Sequence, residues 1–128
     1  RVSGTDVRVH VVGTDVFPTR IASTALDYRY AARDGLSCDL EPSVLAPETE
    51  AACVSVAAAL GLPLAGIDLR IGDDGEVTCF EVNPMPAFSF YESHTGQPIA
   101  AAIAGFLARH RCLESRHTGG TDRESEVA

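Results

Sequence analysis

Two runs of alternating polar and apolar residues flank the sequence GDDG at residues 72–75, and they constrain the fold of this chain more than any other feature. The runs read GIDLRI before the turn and EVTCFEVN after it. Alternation of this kind is typical of strands with one buried face, and a Gly- and Asp-rich turn between two such runs predicts an antiparallel hairpin. A lone hairpin is marginal in water, so further strands or helices must cover it.

Pairing the two strands symmetrically about the turn places Ile71 opposite Glu76. Continued along the strands, this register puts Asp68 opposite Cys79 and Gly66 opposite Glu81. One face then carries Leu64, Gly66, Asp68, Arg70, Val77, Cys79, Glu81 and Asn83, and the other carries Ile67, Leu69, Thr78, Phe80 and Val82. Phe80 is thus predicted to lie in the core, where Phe80→Ala would cost about 3 to 5 kcal/mol of stability.

The predicted polar face brings oxygen-bearing side chains together. Asp68 and Glu81 become diagonal neighbours, roughly 7 Å apart at their Cβ atoms, and Asn83 continues the row. Two such carboxylates repel unless they are exposed, protonated or bridged by a cation, and Mg²⁺ prefers this kind of donor. Gly66 would leave room for a bulky ligand. The alternative is an ordinary solvated face of an antiparallel sheet.

Other segments supply the covering elements. TDVRVHVV and VFPTRIAS, joined by GTD, predict a second hairpin, in which Pro18 suggests an edge strand. Residues 26–42 predict a short strand followed by a turn at Asp34 and Gly35. Together with the first hairpin and two helices, these segments predict an α+β domain with an antiparallel sheet, spanning residues 1–112.

Two amphipathic segments predict the helices. Residues 47–60 begin with Pro47 and are followed by Gly61 and Pro63, and residues 98–111 begin with Pro98 and end in basic residues. Residues 113–128 are polar and Gly-rich, and are predicted to form a disordered tail.

Composition excludes several classes of function. The net charge of −8 argues against nonspecific nucleic-acid binding, and the longest apolar runs are too short to span a membrane. All ten cationic residues are arginine. The widely spaced cysteines Cys38, Cys53, Cys79 and Cys112 contain no CxxC pair and are typical of reduced core cysteines, which predicts a cytoplasmic protein.

After the second run comes NPMPAFSFYESHTGQP, which is too apolar for a routine surface loop and too rich in proline for a helix or strand. Together with GIDLR and FEVN, it resembles the C-terminal ATP-binding core of the ATP-grasp superfamily, especially its RimK-like amino-acid and peptide ligases. The matching residues are Asp68, Glu81, Val82, Asn83, Pro86, Glu92, Thr95 and Gly96, with Arg8 at a charged position of the preceding core strand. Ala87 departs from the glycine that is usual in that family.

The resemblance implies a function and a site. It implies that Asp68, Glu81 and Asn83 bind Mg²⁺ (or Mn²⁺) bridging the phosphates of ATP. It also implies an ADP-forming ligase that activates a carboxylate as an acyl phosphate, which an amine then attacks. An arginine can stabilise such a phosphate, and Arg70, on the same face, is the nearest candidate for this catalytic role. Its alternative role is an ion pair with Asp68 or a surface acid.

The remaining polar candidates carry less information. Arg8, Arg20 and Arg29 either face anions, with Arg8 a candidate nucleotide-binding residue, or are ordinary surface charges. His10 and His94 lack the spaced partners of a zinc or general-base site and are predicted to be structural.

Three functions remain open at this point. One is the ligase, acting on a small-molecule or peptide substrate. The second is a noncatalytic nucleotide-binding or protein-interaction module that keeps the fold, and the third is a phosphoryl-transfer kinase, which would form no amide. Because the chain has no lysine and no glycine-rich phosphate loop, we expect it to be inactive alone and to need an upstream ATP-grasp segment of the same protein.

Overall fold

The structure is a computed structural model that describes residues 4–22 and 39–121, with side chains described for 4–22 and 40–110. In chain order the described elements are β1 (Thr5–Val12), β2 (Asp15–Ala22), β3 (Asp39–Pro42), α1 (Pro47–Ala59), β4 (Leu64–Ile71), β5 (Val77–Asn83), α2 (Ser89–Thr95) and α3 (Ile99–Thr121). The strands form one antiparallel sheet in the order β3-β2-β1-β4-β5. The predicted α+β class is confirmed.

The β1–β2 hairpin forms as predicted, with Val12 opposite Asp15 across a two-residue turn that begins at Gly13. Gly13 has a φ of +62°, which glycine adopts without strain. The predicted edge position of β2 is wrong, because β3 pairs along its other side. Pro18 lies just beyond the last of those pairs, Thr19 with Pro42, where its missing N–H costs no ladder hydrogen bond. The strand and turn predicted within 26–38 fall outside the described residues.

The β4–β5 hairpin around GDDG forms, but its predicted register is wrong. Gly72 N–H donates to the Glu76 carbonyl at 2.8 Å, and Gly75 N–H donates to the Gly72 carbonyl at 2.9 Å. The loop therefore has three residues and ends at Gly75, whose φ is +87°. This closure pairs Ile71 with Val77 instead of Glu76, which shifts the register by one residue.

A β-bulge shifts the register once more. Leu69 pairs with Cys79, but the next residue of β4, Asp68, pairs with Glu81, so Phe80 is the extra residue. Phe80 is 58% exposed, and Cys79 is exposed as well. Their predicted core positions are therefore wrong. Bulges are a common device on edge strands such as β5, because they disturb pairing with other chains.

One face of the sheet, which we call the apolar face, packs against α1. Alternate residues of the two central strands point to it, and the helix contributes Cys53 and Ala57. The buried cluster comprises Val7, Val9, Val11, Leu45, Cys53, Ala57, Ala65, Ile67 and Leu69. The predicted helix 47–60 and the core position of Cys53 are confirmed; the side chains of Cys38 and Cys112 lie outside the description.

The second predicted helix is α3, which begins within a residue of the expected position and continues ten residues past the predicted end, to Thr121. Its first residue, Ile99, is fully buried, and Phe106 approaches the β1–β2 turn at Gly13. The backbone of 113–121, which was predicted to belong to a tail, continues this helix, and 122–128 lie outside the description. None of the described helices combines the length and apolar character that crossing a membrane requires.

A third helix, α2, forms where the proline-rich sequence was predicted to exclude one. The prolines stand outside it, at Pro84, Pro86 and Pro98, and Gly96 ends it with a φ of +75°. Its Tyr91 packs with Ile21 and Leu40 in a second buried cluster. The proline count of the whole segment therefore concealed a seven-residue stretch that contains none.

Candidate functional site

The second face of the sheet, which we call the polar face, carries a row of charged residues on its two central strands. Asp6, Arg8 and His10 alternate along β1 with the valines of the core. The β1–β4 register sets Arg8 opposite Asp68, Asp6 opposite Arg70, and His10 opposite Gly66. Two cation–carboxylate pairs thus lie side by side at the centre of the sheet.

Strand β5 extends this row with two oxygen-bearing side chains. Glu81 lies directly opposite Asp68, and Asn83 directly opposite Gly66. The turn and the bulge each shift the register by one residue in the same direction, so together they return Glu81 and Asn83 to the predicted face. Direct partners are closer than the predicted diagonal ones, at about 4.5 to 5.5 Å between Cβ atoms. The shared face of Asp68, Glu81 and Asn83 therefore survives a wrong register.

Arg8 and Asp68 form a largely buried ion pair. Arg8 Nε donates to Asp68 Oδ1 at 2.5 Å, and its terminal nitrogen NH2 donates to Oδ2 at 3.3 Å. The side chains are 4% and 16% exposed. Of the two roles that the sequence left open for Arg8, an ordinary surface charge is excluded. The Arg8–Asp68 pair therefore holds two opposite charges largely out of contact with water.

The loop after β5 folds back onto the polar face. A Cβ atom added to Gly66 would lie 2.7 Å from Pro86 Cβ, so Gly66 is needed for the close approach of this loop. The predicted room for a ligand at Gly66 is therefore wrong, because Pro86 fills it. Asn83 Oδ1 accepts the backbone N–H of Met85 at 2.9 Å, which fixes the start of the loop.

Arg70 takes the alternative role that the sequence allowed, with Asp6 as its partner. Its Nε and NH2 lie 2.8 and 2.7 Å from Asp6 Oδ1, and its side chain is 24% exposed. Arg20 pairs with Glu41 near the surface, on the opposite face. Arg29 lies outside the described residues. The catalytic role of Arg70 stays a prediction.

His10 is fully buried on the polar face, and neither ring nitrogen has a hydrogen-bond partner among the residues that the structure describes. Burial, with a smaller contribution from the nearby Arg8 charge, lowers the pKa of His10 to about 4. The imidazole is therefore neutral at pH 7. Its position could have been predicted, since it alternates with Arg8 along one strand.

Tyr91 is the residue of this site that the sequence analysis missed. It is 4% exposed, its ring centroid lies 5.1 Å from that of His10, and the Arg8 guanidinium carbon lies 5.1 Å from its centroid. Nothing in the local sequence pattern distinguishes it from the neighbouring Phe90. Its role depends on how α2 docks on the sheet.

Three residues that carry the family resemblance build the junction of α2 and α3. Glu92 Oε1 accepts the Ala100 N–H at 2.7 Å, Thr95 Oγ1 accepts the Gln97 N–H at 3.2 Å, and Gly96 supplies the left-handed backbone. Gln97 then ties the junction to β2, because its Nε2 donates to the Pro18 carbonyl at 2.9 Å. These matches hold α2 over the site.

The donor chemistry of the site suits a hard divalent ion. Asp68, Glu81 and Asn83 offer only oxygen, which favours Mg²⁺ or Mn²⁺ over Zn²⁺. Within 4–22 and 39–121, no three histidine, cysteine or acidic side chains cluster as a metal cage would require. Two carboxylates with an amide are an open ligand set, of the kind that Mg²⁺ completes with phosphate oxygens and water.

Comparison with known proteins gives the family of the chain. The family model described as "RimK-like ATP-grasp domain" matches residues 1–107. The probable alpha-L-glutamate ligase 1 of Shewanella amazonensis is 30% identical over 118 residues, covering 91% of this chain and 38% of that protein. The probable alpha-L-glutamate ligase of Cellvibrio japonicus is 30% identical over 105 residues, covering 82% and 34%.

Solved structures agree in fold. The ATP-grasp ligase PsnB, complexed with a precursor variant, Mg and ADP, superposes with a TM-score of 0.68 at 25% identity, covering 84% of this chain and 34% of that one. The macrocyclase MdnC from Microcystis aeruginosa MRC, bound to its precursor peptide, gives 0.70 at 26% identity, covering 86% and 34%. The chain thus spans just over a third of the length of these proteins. Since the family model covers most of its residues and the sheet superposes on those of ATP-grasp ligases, the chain belongs to the RimK-like ATP-grasp family.

Proposed function

We propose that this chain is the Mg·ATP-binding part of an ATP-dependent carboxylate–amine ligase. The observation that carries the proposal is the direct cross-strand pairing of Asp68 with Glu81 beside the buried Arg8. Together with Asn83, these two facing carboxylates offer the oxygen donors that a hard divalent ion prefers. The relatives are named as probable glutamate ligases, an ATP-grasp ligase and a macrocyclase. These names support a carboxylate–amine ligase.

Asp68, Glu81 and Asn83 are the residues that would hold the ion, and Arg8 is the cation that pairs with Asp68. Mg²⁺ supplies positive charge against the phosphate oxygens when it is bound. Arg8 keeps the Asp68 carboxylate in one orientation through two hydrogen bonds, so the donors are arranged before any ligand arrives. This preorganisation is the contribution of the sheet itself.

Arg70 is the proposed catalytic residue. Its guanidinium is anchored by Asp6 and remains partly exposed on the same face as Asp68, so it can meet an anion without leaving its strand position. In the proposed reaction the substrate carboxylate attacks the terminal phosphorus of ATP, giving an acyl phosphate and ADP. The amine then attacks the acyl carbon and releases phosphate, while Arg70 stabilises the phosphate oxygens.

The remaining parts of the active site are proposed to lie upstream in the same protein. This chain has no lysine, and it corresponds to 38% of the length of the Shewanella amazonensis relative. A triphosphate must be held from both sides for transfer, so the lysines of a phosphate clamp would come from the segment that the relatives have in addition. The substrate carboxylate and amine belong to an amino acid or a peptide.

The test is product analysis with the full-length protein. It is incubated with Mg·ATP and panels of amino acids and short peptides, and ADP, phosphate and amide are measured together. The ligase proposal expects stoichiometric ADP, phosphate and amide. A phosphorylated product without amide would establish the kinase alternative, and binding of Mg·ATP without turnover by any substrate would establish the noncatalytic module.

The isolated 128-residue chain provides a second test. With one wall of the cleft absent, we expect it to bind Mg·ATP weakly and to give no amide, and activity should appear when the upstream segment is added. Robust turnover by the isolated chain would contradict this division of the site. The cytoplasmic location predicted from the cysteines stays a prediction.

A further inference from the structure

Tyr91 contacts Arg8 and His10, although it is not one of the residues that carry the family resemblance. Helix α2 places its ring over the polar face, 5.1 Å from the Arg8 guanidinium carbon and 5.1 Å from the His10 ring. Both Arg8 and Tyr91 are 4% exposed. An arginine this deeply buried loses most of its contact with water, so the groups that replace water decide where its guanidinium points.

The guanidinium of Arg8 is held from three directions. Its Nε edge binds Asp68, and its NH1 nitrogen lies close to the Gly66 backbone, 3.3 Å from where a Cβ atom would stand. The Tyr91 ring lies within the range at which an aromatic face attracts a guanidinium. A planar cation that stacks on a ring can bind a carboxylate with its edge at the same time.

We propose that Tyr91 is a positioning residue for Arg8, whose ring holds the guanidinium in the orientation that aligns the Asp68 carboxylate. An aliphatic side chain such as Leu or Met would fill most of the volume but offer no π face to the cation. Arg8 could then turn, and Asp68 would lose its fixed direction. The consequence for catalysis rests on the proposed function, in which Asp68 binds the metal ion; the contact between Tyr91 and Arg8 does not.

The chain offers a matched control in Phe90. It is the neighbouring aromatic residue of α2 and packs against the same buried cluster, but its ring contacts are with Tyr91 and His94. Phe90→Leu therefore removes a neighbouring aromatic ring of the same helix while leaving the ring that contacts Arg8. Tyr91→Phe is the second control, because it keeps the ring and removes only the hydroxyl.

The first measurement is the solvent exchange of the Arg8 Nε proton, followed by NMR on the 128-residue chain and assigned by its loss in Arg8→Lys. We expect Tyr91→Leu to accelerate exchange by at least about tenfold, and Tyr91→Phe and Phe90→Leu to change it by less than about threefold. If Tyr91→Leu does not fold, as judged by circular dichroism, Tyr91→Met replaces it. Wild-type exchange in a folded Tyr91→Leu or Tyr91→Met chain, or equal acceleration in Phe90→Leu, would overturn the proposal.

The second measurement uses the full-length protein and separates kcat from the KM for Mg·ATP. Tyr91→Leu should lower kcat by about tenfold or more, and Tyr91→Phe should restore it to within about threefold. Faster Arg8 exchange in a protein that proves to have no ligase activity would refute the proposed function and uphold the positioning role. Normal kcat in an active Tyr91→Leu enzyme would overturn that role in catalysis.

Discussion

The two faces of one sheet differ in what they bury. On the apolar face, Val7, Val9 and Ile67 pack against α1 and carry no polar side-chain atom. On the polar face, the residues between them, Arg8 and His10, are buried just as completely. The same two strands thus build an apolar core that stabilises the fold and a second face on which a charged residue is buried, which costs desolvation free energy. Proteins retain costly buried charge chiefly where a site needs it.

The first way to test this contrast is to remove one charge from the polar face. Glu81→Gln in the full-length protein keeps the shape of the side chain and removes a charged ligand, so we expect the rate of ligation to fall about 1,000-fold, or about 4 kcal/mol, with the fold intact. Initial rates of amide formation at saturating Mg²⁺ measure it. Glu76→Gln, at an exposed position beside the turn, is the control. Equal rates of amide formation in the two variants would show that Glu81 is not a metal ligand.

The second way is to open a cavity in the apolar face. Ile67 is 1% exposed, and Ile67→Ala should lower the free energy of unfolding by about 2 to 5 kcal/mol. Urea denaturation of the 128-residue chain measures it. In the full-length protein the melting temperature should fall, while the affinity for Mg·ATP stays the same at a temperature where the protein is folded. A loss of Mg·ATP affinity without a loss of stability would contradict the division between the faces.

The third way uses pH. The folded-state pKa of His10 is about 4, below the ordinary value of 6.5, so the unfolded chain binds the proton more readily. This disfavours the folded state progressively as pH falls from about 7 to 4, by about 3 kcal/mol in all, and leaves stability above pH 7 unaffected. Urea denaturation across this range should show the loss.

A variant isolates the contribution of His10 from those of the carboxylates. His10→Phe should flatten the pH dependence of the unfolding free energy by that amount. It also removes two ring nitrogens that find no hydrogen-bond partner within the described part of the chain. His94→Gln, at an exposed position of α2, is the control substitution. Identical pH profiles for His10→Phe and wild type would show that His10 is not held neutral by burial.

The smallest expected effect is at Phe80. Since the bulge leaves this ring 58% exposed on the edge strand, Phe80→Ala should cost less than about 1 kcal/mol, far below the value expected for a core phenylalanine. Urea denaturation compared directly with Ile67→Ala measures the difference. A loss as large as that of Ile67→Ala would mean that Phe80 is buried and that the bulge is absent.

Alternation along the chain was enough to predict both hairpins and the common face of Asp68 and Glu81. Helix α1 was predicted from its start at Pro47 and its end at Gly61 and Pro63, and these elements together gave the fold class. It could not predict the register of β5. A three-residue loop ending at Gly75 and a bulge at Phe80 each insert one residue, and neither changes the local pattern of polar and apolar residues. Together the two shifts move β5 by two residues, which returns each side chain to its predicted face. The face of Glu81 was therefore predicted correctly, although its partner was not.

The parts of the site that depend on docking were beyond sequence reasoning. The burial of Arg8 follows from α2 and the Pro86 loop covering the sheet, and α2 itself was missed because prolines surround it. Tyr91 contacts Arg8 across 83 positions of sequence, a contact that no local period encodes. Position along a strand predicts which face a side chain takes, but not what covers that face.

In the proposed function, Asp68, Glu81 and Asn83 share one divalent ion. Substoichiometric Mn²⁺, added with ADP to the ¹⁵N-labelled 128-residue chain, broadens the NMR signals of nearby amides even when binding is weak. We expect broadening centred on residues 68, 81 and 83, its loss in Glu81→Gln, and sharp signals from α1 on the other face. Broadening centred elsewhere, or unchanged by Glu81→Gln, would contradict it.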